Sequence, residues 1–340
     1  MGVMSRETAG ALIEAAFAAA DEHGAVSFAF QGGEPTVAGL DFFRDFVAMV
    51  SAFRPLDRQV SYALQTNGMA LNEEWTHFLK ENQFLVGLSV DGYRELHDHY
   101  RVDTKGEGTY GRVAKALALL QKFEVETNLL CVVTGQCAKH PQKTYASMKK
   151  LGVRYLQFIP CLDPLEEQRG RAVYSLTPKL YGDFLCGLFD QWYRDWAEGH
   201  YTSVRLFDDY VHLAMGEPAS TCAASGGCGS YFVVEADGGV YPCDFYVLDR
   251  WRMGDVHTDS LKELANDETA SKFLRQGRLR PSRCASCRWV PLCNGGCRRD
   301  WTGGADDTEN YYCESFRRFF EYAADRIGEI AWQERRSRMR

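Results

Sequence analysis

The chain has 340 residues, of which 45% are hydrophobic and 25% charged, and a formal net charge of −7. A chain of this length buries a large core and accommodates two domains, and its acidic balance argues against nucleic acid as a partner. No apolar run reaches the roughly 20 residues that a membrane span needs, and the sequence carries no low-complexity tract and no repeat of fixed period.

In chain order, residues 5–23 read as an amphipathic, alanine-rich helix. V-S-F-A-F at 26–30 then reads as a buried strand ending in the polar turn Gln31-Gly32-Gly33-Glu34-Pro35-Thr36, with a new helix beginning near Thr36. The unit recurs. A strand at 60–64 ends in Gln65-Thr66-Asn67-Gly68, and one at 84–88 ends in Ser89-Val90-Asp91-Gly92. A strand at 126–133 ends in Thr134, and one at 155–159 ends in Pro160-Cys161-Leu162-Asp163. Strands alternating with helices imply a parallel sheet, and in barrels of this unit the chemistry lies at the C-terminal strand ends. Five strands do not close an eight-stranded barrel, and the chain opens on a helix where the pattern expects a strand. The reading is therefore an open or incomplete α/β barrel.

Residues 175–215 read as helical and aromatic-rich, with Cys186 as a packed thiol. The segment 232–241 reads as a hairpin around an Asp-Gly-Gly turn, and 314–332 as a closing helix. Arg335, Arg336, Arg338 and Arg340 read as a solvated, frayed tail.

Eight of the twelve cysteines lie within 222–313, four of them in C-A-S-C-R-W-V-P-L-C-N-G-G-C. Eight thiols divide into two sets of four, each able to complete a tetrahedral zinc site or an iron–sulfur cluster, and spacing does not choose between the two. Disulfides are disfavoured. No secretory signal is visible, and the expected compartment is the reducing cytoplasm, where thiolates remain available for metal.

Other residues carry open alternatives. Gly32 and Gly33 let the backbone approach a ligand, with Glu34 adding a charge suited to an ammonium group. The other reading is a tight turn with a solvated Glu34. Ser89 and Asp91 could bond a ribose or simply form an Asp-Gly turn. Asp244 follows Cys243 directly, so it is either a rigidly held general base or an acceptor for backbone N–H groups. His97, His99 and His140 read as surface or core residues, not ligands.

Taken together, F-A-F-Q-G-G-E-P-T, L-Q-T-N-G, F-L-V-G-L-S-V-D-G, L-Q-F-I-P-C-L-D-P-L, F-V-V-E-A-D-G-G-V-Y-P-C-D-F-Y-V-L-D, C-x2-C-x5-C-x3-C and N-Y-Y-C-E-S resemble the anaerobic sulfatase-maturating enzymes. These belong to the radical S-adenosylmethionine (SAM) superfamily and carry a SPASM domain. The resemblance implies an α/β fold: a partial (β/α)6 radical-SAM barrel lacking its first strand (1–165), a helical connection (166–220), and a cysteine-rich SPASM domain with a C-terminal helix (221–340).

It also implies two auxiliary [4Fe–4S] clusters, one held by Cys222, Cys228, Cys243 and Cys297 and the other by Cys284, Cys287, Cys293 and Cys313. Gly32, Gly33 and Glu34 match the motif that receives the methionine end of S-adenosyl-L-methionine. Gln31, Ser89 and Leu162 match positions lining the SAM and substrate cavity, and Asp244 matches the catalytic base. The implied reaction oxidises a Cys or Ser of an unfolded or nascent sulfatase polypeptide to Cα-formylglycine. A 5′-deoxyadenosyl radical takes a hydrogen from Cβ, the base takes the thiol or hydroxyl proton, an auxiliary cluster takes the electron, and water hydrolyses the thioaldehyde. A flavodoxin or ferredoxin is the implied electron donor.

One departure stands out. The family's C-x3-C-x2-C motif, which holds the third, SAM-cleaving cluster, has no match here, and Cys131, Cys137, Cys161 and Cys186 lie too late. The expectation is that the first strand and its three thiols precede Met1, leaving this chain inactive by itself. The competing readings are another SPASM peptide-modifying enzyme, such as a thioether-forming one, a non-catalytic Fe–S peptide-binding scaffold, and a zinc-ribbon protein.

Overall fold

Strand and helix alternate as the hydrophobic periodicity dictates. The computed structural model describes residues 2–22, 24–53, 58–165, 167–229, 231–303 and 308–338. Its first elements are α1 (Arg6–Ala19), β1 (Ala25–Phe30), α2 (Leu40–Phe53), β2 (Gln59–Thr66), α3 (Glu73–Glu81), β3 (Phe84–Ser89), α4 (Arg94–Tyr100), α5 (Tyr110–Lys122) and β4 (Thr127–Val133). Then come α6 (Pro141–Lys149), β5 (Tyr155–Pro160), α7 (Pro178–Ala197), β6 (Ser203–Val204) and α8 (Arg205–Ala214). The sheet is parallel and six-stranded, in the order β1-β2-β3-β4-β5-β6.

The cysteine-rich part is built of short pieces. They are α9 (Cys222–Ser225), β7 (Val233–Val234), β8 (Gly239–Tyr241), β9 (Gly254–Asp255), α10 (Leu261–Leu264), α11 (Glu268–Arg278) and α12 (Val290–Cys293). The antiparallel pair β10 (Trp301–Thr302) and β11 (Glu309–Asn310) and the long α13 (Cys313–Arg338) follow.

The chain divides into two compact units, each assembled from separate segments. The first comprises 1–88, 115–127 and 229–276. Here α1 explains its own composition, because two of its faces are buried. Ala9, Ile13 and Phe17 pack on Val26 and Phe28 of β1 and on Phe46 and Val50 of α2. The small Ala11, Ala15 and Ala19 let the β7–β8–β9 meander and α10 approach through Val240, Val256, Leu261 and Leu264. Gly238 closes the hairpin at φ +92°, where an added Cβ would lie 2.8 Å from both Asp255 and His257. A side chain there would clash as well as strain the backbone.

The second unit comprises 89–114, 128–228 and 277–340. Its core is aromatic: Phe189, Trp192 and Phe207 pack among themselves, and Phe189 and Phe207 meet Phe319 of α13. Tyr210 joins Phe320.

Two expectations change. The helical stretch 175–215 is broken: Gly199 turns the chain at φ +77° and β6 interposes before α8. This sixth strand is too short to leave a periodic trace. The arginine-rich end is helix as far as Arg338, not a frayed tail. Arg338 pairs with Glu217 at 2.7 Å, and Arg335 donates to the carbonyl of Met215. Arg340 lies outside the described residues.

Candidate cofactor and substrate site

In the first unit the turn after β1 presents open backbone. Gly32 and Gly33 hold φ +88° and +54°, and no atom lies within 4 Å of a Cβ built on either. Backbone strain, not crowding, therefore requires glycine here, and the cleared space lets a ligand approach the main chain. Gln31 is exposed beside them.

Glu34 is half-buried, and its carboxylate is turned inward. Oε1 accepts from Thr36 N (3.1 Å), Thr36 Oγ1 (2.6 Å) and Thr66 Oγ1 (2.7 Å), and Oε2 accepts from Asn67 N (2.7 Å). One carboxylate thus ties the end of β1 to the end of β2, leaving one lone-pair direction on Oε2 for a ligand cation. The solvated Glu34 of an ordinary turn is not what forms. This turn, open to a ligand and braced from behind, fits the methionine end of SAM.

The same unit places Cys243 and Asp244 just beyond β8. Burial pushes the Cys243 thiol up to about 11. Asp244 is exposed, and its Oδ1 accepts a 2.7 Å hydrogen bond from Tyr231 Oη, while no described residue bonds Oδ2. Sequence reasoning passes over Tyr231. The signal lies in the hairpin register: Val233 pairs with Tyr241, so two residues outward on each strand Tyr231 stands opposite Cys243.

In the second unit Ser89 is buried at the end of β3. Asp91 is not available to a ribose. It accepts from Arg101 Nε at 2.5 Å and from the Val132 amide at 2.9 Å. His97 is buried, and its Nδ1 accepts from the Asp91 amide at 3.1 Å, so Nε2 carries the proton that meets Thr109 Oγ1 at 3.0 Å. Burial holds His97 below the usual imidazole range, so it is a core residue in its neutral form.

Leu162 follows β5, and its neighbour Asp163 accepts from the Gly170 amide and from Ser175 Oγ. The Asp163 carbonyl takes a 2.6 Å bond from Arg299, and Arg169 pairs with Asp300 at 3.0 Å and donates to the Arg299 carbonyl. Arg299 N in turn donates to Cys297 Sγ at 3.4 Å. The strand end carrying Leu162 and the loop carrying Cys297 are thus one hydrogen-bonded assembly.

The thiols of this unit that follow α8 gather in two neighbourhoods. Cys284, Cys287, Cys293 and Cys313 line one cavity of about 320 Å³. Its wall includes Trp289, whose Nε1–H is shielded from solvent and finds no acceptor among the described residues. Burial pushes the Cys293 thiol up to about 12, with Cys284, Cys313 and Cys287 adding to the shift. Four half-buried thiols lining one cavity and an unsatisfied donor fit a multi-atom cluster whose cations displace the protons and whose sulfides accept hydrogen bonds.

The Cys222 and Cys228 loop is stitched to the Cys297 segment. Asn294 Nδ2 donates to Ala224 O at 2.8 Å, and an added Cβ at Gly226 would lie 2.7 Å from Asn294. At Gly277 an added Cβ would lie 2.4 Å from Cys228 Sγ. Asp209, fully buried, fixes the start of α9 through Ser220 N and Thr221 Oγ1, both at 2.6 Å. Cys131 and Cys137 are fully buried, and Cys161 and Cys186 lie half-buried on other elements. None of these has the C-x3-C-x2-C spacing, so the described residues do not fit the third cluster.

Comparison with known proteins identifies the family. Residues 4–148 match the radical SAM superfamily, and residues 226–288 match the SPASM iron–sulfur cluster-binding domain. The cysteine-type anaerobic sulfatase-maturating enzyme of Clostridium perfringens (strain 13 / Type A) is 43% identical over 332 residues, covering 97% of this chain and 89% of that protein. The serine-type enzyme of Bacteroides thetaiotaomicron is 30% identical over 317 residues, covering 88% and 76%. The solved structure of native anSMEcpe with bound AdoMet and Cp18Cys peptide aligns with a TM-score of 0.94 at 43% identity, covering 98% of this chain and 92% of that one. Among the described residues no helix is long and apolar enough to cross a membrane. A chain with these matches along nearly its whole length belongs to the anaerobic sulfatase-maturating enzymes of the radical SAM superfamily.

Proposed function

We propose that this chain is the framework on which an active-site cysteine of a sulfatase polypeptide is oxidised to Cα-formylglycine once a SAM-cleaving cluster is supplied, with Asp244 as the base. The observation that carries this is the identity of 43% with a cysteine-type enzyme against 30% with a serine-type one, together with a carboxylate beside a cluster thiol that keeps one oxygen free. Given a reduced SAM-cleaving cluster, which these residues do not themselves hold, bound SAM would supply hydrogen-atom abstraction, and the two auxiliary [4Fe–4S] clusters would offer an acceptor for the released electron.

The chain's own groups do the rest. The Gly32–Gly33 backbone receives the methionine end of SAM, and Glu34 braces that turn while offering its remaining lone pair to the ammonium. Gln31, Ser89 and Leu162 line the SAM and substrate cavity. Asp244 takes the substrate thiol proton on Oδ2 while Tyr231 holds Oδ1. Cys222, Cys228, Cys243 and Cys297 hold one cluster, and Cys284, Cys287, Cys293 and Cys313 hold the other.

The substrate is an unfolded or nascent segment, since a buried cysteine in a folded sulfatase could not reach these groups. A flavodoxin- or ferredoxin-type protein supplies the electron, and the reducing cytoplasm keeps the eight ligand thiols free. The test joins a strand bearing C-x3-C-x2-C ahead of the chain in one polypeptide and loads it anaerobically with iron and sulfide. It should form formylglycine in a peptide carrying the sulfatase motif, faster from Cys than from Ser. Asp244→Asn should keep cleaving SAM and lose the aldehyde. No aldehyde from the unsubstituted protein refutes the reading, and full aldehyde from the Asn variant removes Asp244 from the base role.

A further inference from the structure

Tyr231 has no part in the family pattern set out above, yet its hydroxyl sits at a junction. Tyr231 Oη lies 2.7 Å from Asp244 Oδ1 and 3.4 Å from Cys243 Sγ, and that sulfur lies 3.4 Å from the same Oδ1. Three polar atoms form a triangle around one phenolic proton. With Cys243 as a free thiol, its own S–H can satisfy the carboxylate. Once Cys243 binds iron that proton is gone, leaving a thiolate and a carboxylate 3.4 Å apart on adjacent residues. Tyr231 is then the side chain among the described residues that donates to either, beside the Phe245 backbone N–H that reaches Cys243.

We propose that Tyr231 is a positioning residue that couples the Asp244 carboxylate to the auxiliary cluster through Cys243. This rests on Cys243 being a cluster ligand and Asp244 the base. Two consequences follow from the geometry. The carboxylate, closer and with its charge concentrated on two oxygens, takes most of the hydroxyl, which pins Oδ1 and turns Oδ2 outward. The sulfur keeps electron density that a hydroxyl aimed squarely at it would withdraw. Hydrogen bonds to cluster sulfurs stabilise the reduced form and raise its potential. The potential of this cluster is therefore set by how firmly Asp244 retains Tyr231.

The experiment uses the full chain, anaerobically reconstituted and assayed for iron and sulfide, with both auxiliary clusters titrated electrochemically and followed by electron paramagnetic resonance. Tyr231→Phe keeps the ring and removes the donor. It should lower the reduced-to-oxidised ratio of the Cys243 cluster about threefold at a fixed applied potential, because only the longer, 3.4 Å share of the hydroxyl reaches the sulfur. The other cluster should stay where it is, as the internal control. Asp244→Ala should raise the potential of the Cys243 cluster, and do so more with Tyr231 present than in the Phe background, because only then can a hydroxyl turn to the sulfur. Unchanged potentials in a fully loaded Tyr231→Phe protein, equal shifts in both clusters, or an additive cycle each overturn the coupling while leaving the cluster assignment intact. Iron sufficient for fewer than two clusters overturns the assignment and the coupling with it.

Discussion

Glu34→Gln tests whether the carboxylate braces the SAM turn or serves the ligand alone. The four donors on Glu34 lie at 2.6–3.1 Å, three on Oε1 and one on Oε2. An amide keeps its oxygen where three donors converge and must then aim its NH2 at the Asn67 N–H. One charge-assisted bond is lost, worth about 1.5–3 kcal/mol, and the remaining three weaken as their acceptor becomes neutral. Because the residue is only half-buried, the expected loss is about 2–4 kcal/mol of local stability. Urea unfolding followed by amide hydrogen exchange at Asn67 and Thr36 reads this directly, since exchange reports the opening of that segment. SAM affinity, measured by calorimetry on the same samples, should fall along with the protection. A variant that loses SAM affinity while Asn67 and Thr36 stay protected as before would refute the bracing role and leave Glu34 as a plain ligand for the ammonium.

Arg169→Ala removes the partner of Asp300, whose carboxyl burial already pushes upward; with side chains only 12% and 11% exposed, the loss should be about 3–5 kcal/mol, read as a lowered urea midpoint. Gly32→Ala meets no atom but forces alanine to φ +88°, so it should cost about 1–2 kcal/mol in thermal unfolding, with no relief from trimming neighbours. Cys284→Ala should halve the iron content after reconstitution and lower the melting temperature, because ligand loss at a structural cluster couples to folding; unchanged iron content would contradict the cavity assignment. His97, held neutral by burial beside Asp91, Arg101 and Asp98, takes a proton more readily when unfolded. Stability should therefore fall as pH drops below about 6.5, by at most ~1.4 kcal/mol per pH unit from this group, and His97→Asn should flatten that slope in urea melts at pH 7.5 and 5.5.

What could be read in advance follows the range over which each signal acts. Strands β1 to β5 announce themselves because burial imposes a period within a few residues, and glycines mark the turns where φ must be positive. The cysteine-rich stretch is legible because C-x2-C-x5-C-x3-C spacing is local, but that Cys313, not Cys297, shares a cavity with Cys284, Cys287 and Cys293 is not readable from spacing. Contacts between distant residues carry no such mark. The bond from Arg169 to Asp300 spans 131 positions, and that from Arg299 to the Asp163 carbonyl spans 136. The inward turn of Glu34 depends on Thr66 and Asn67 of another strand end, 32 and 33 positions away. Likewise α13 outlasts its apolar pattern because Glu217 and the Met215 carbonyl, more than a hundred residues earlier, hold its last turn. Tyr231 is the intermediate case: thirteen positions from Asp244, it could have been found by counting outward along the hairpin.

The Arg299–Asp163 tie has a bearing on assembly. Whatever immobilises Cys297 also restrains the segment bearing Leu162, because Arg299 bonds both. By reciprocity, anything that orders the Leu162 segment also steadies Cys297.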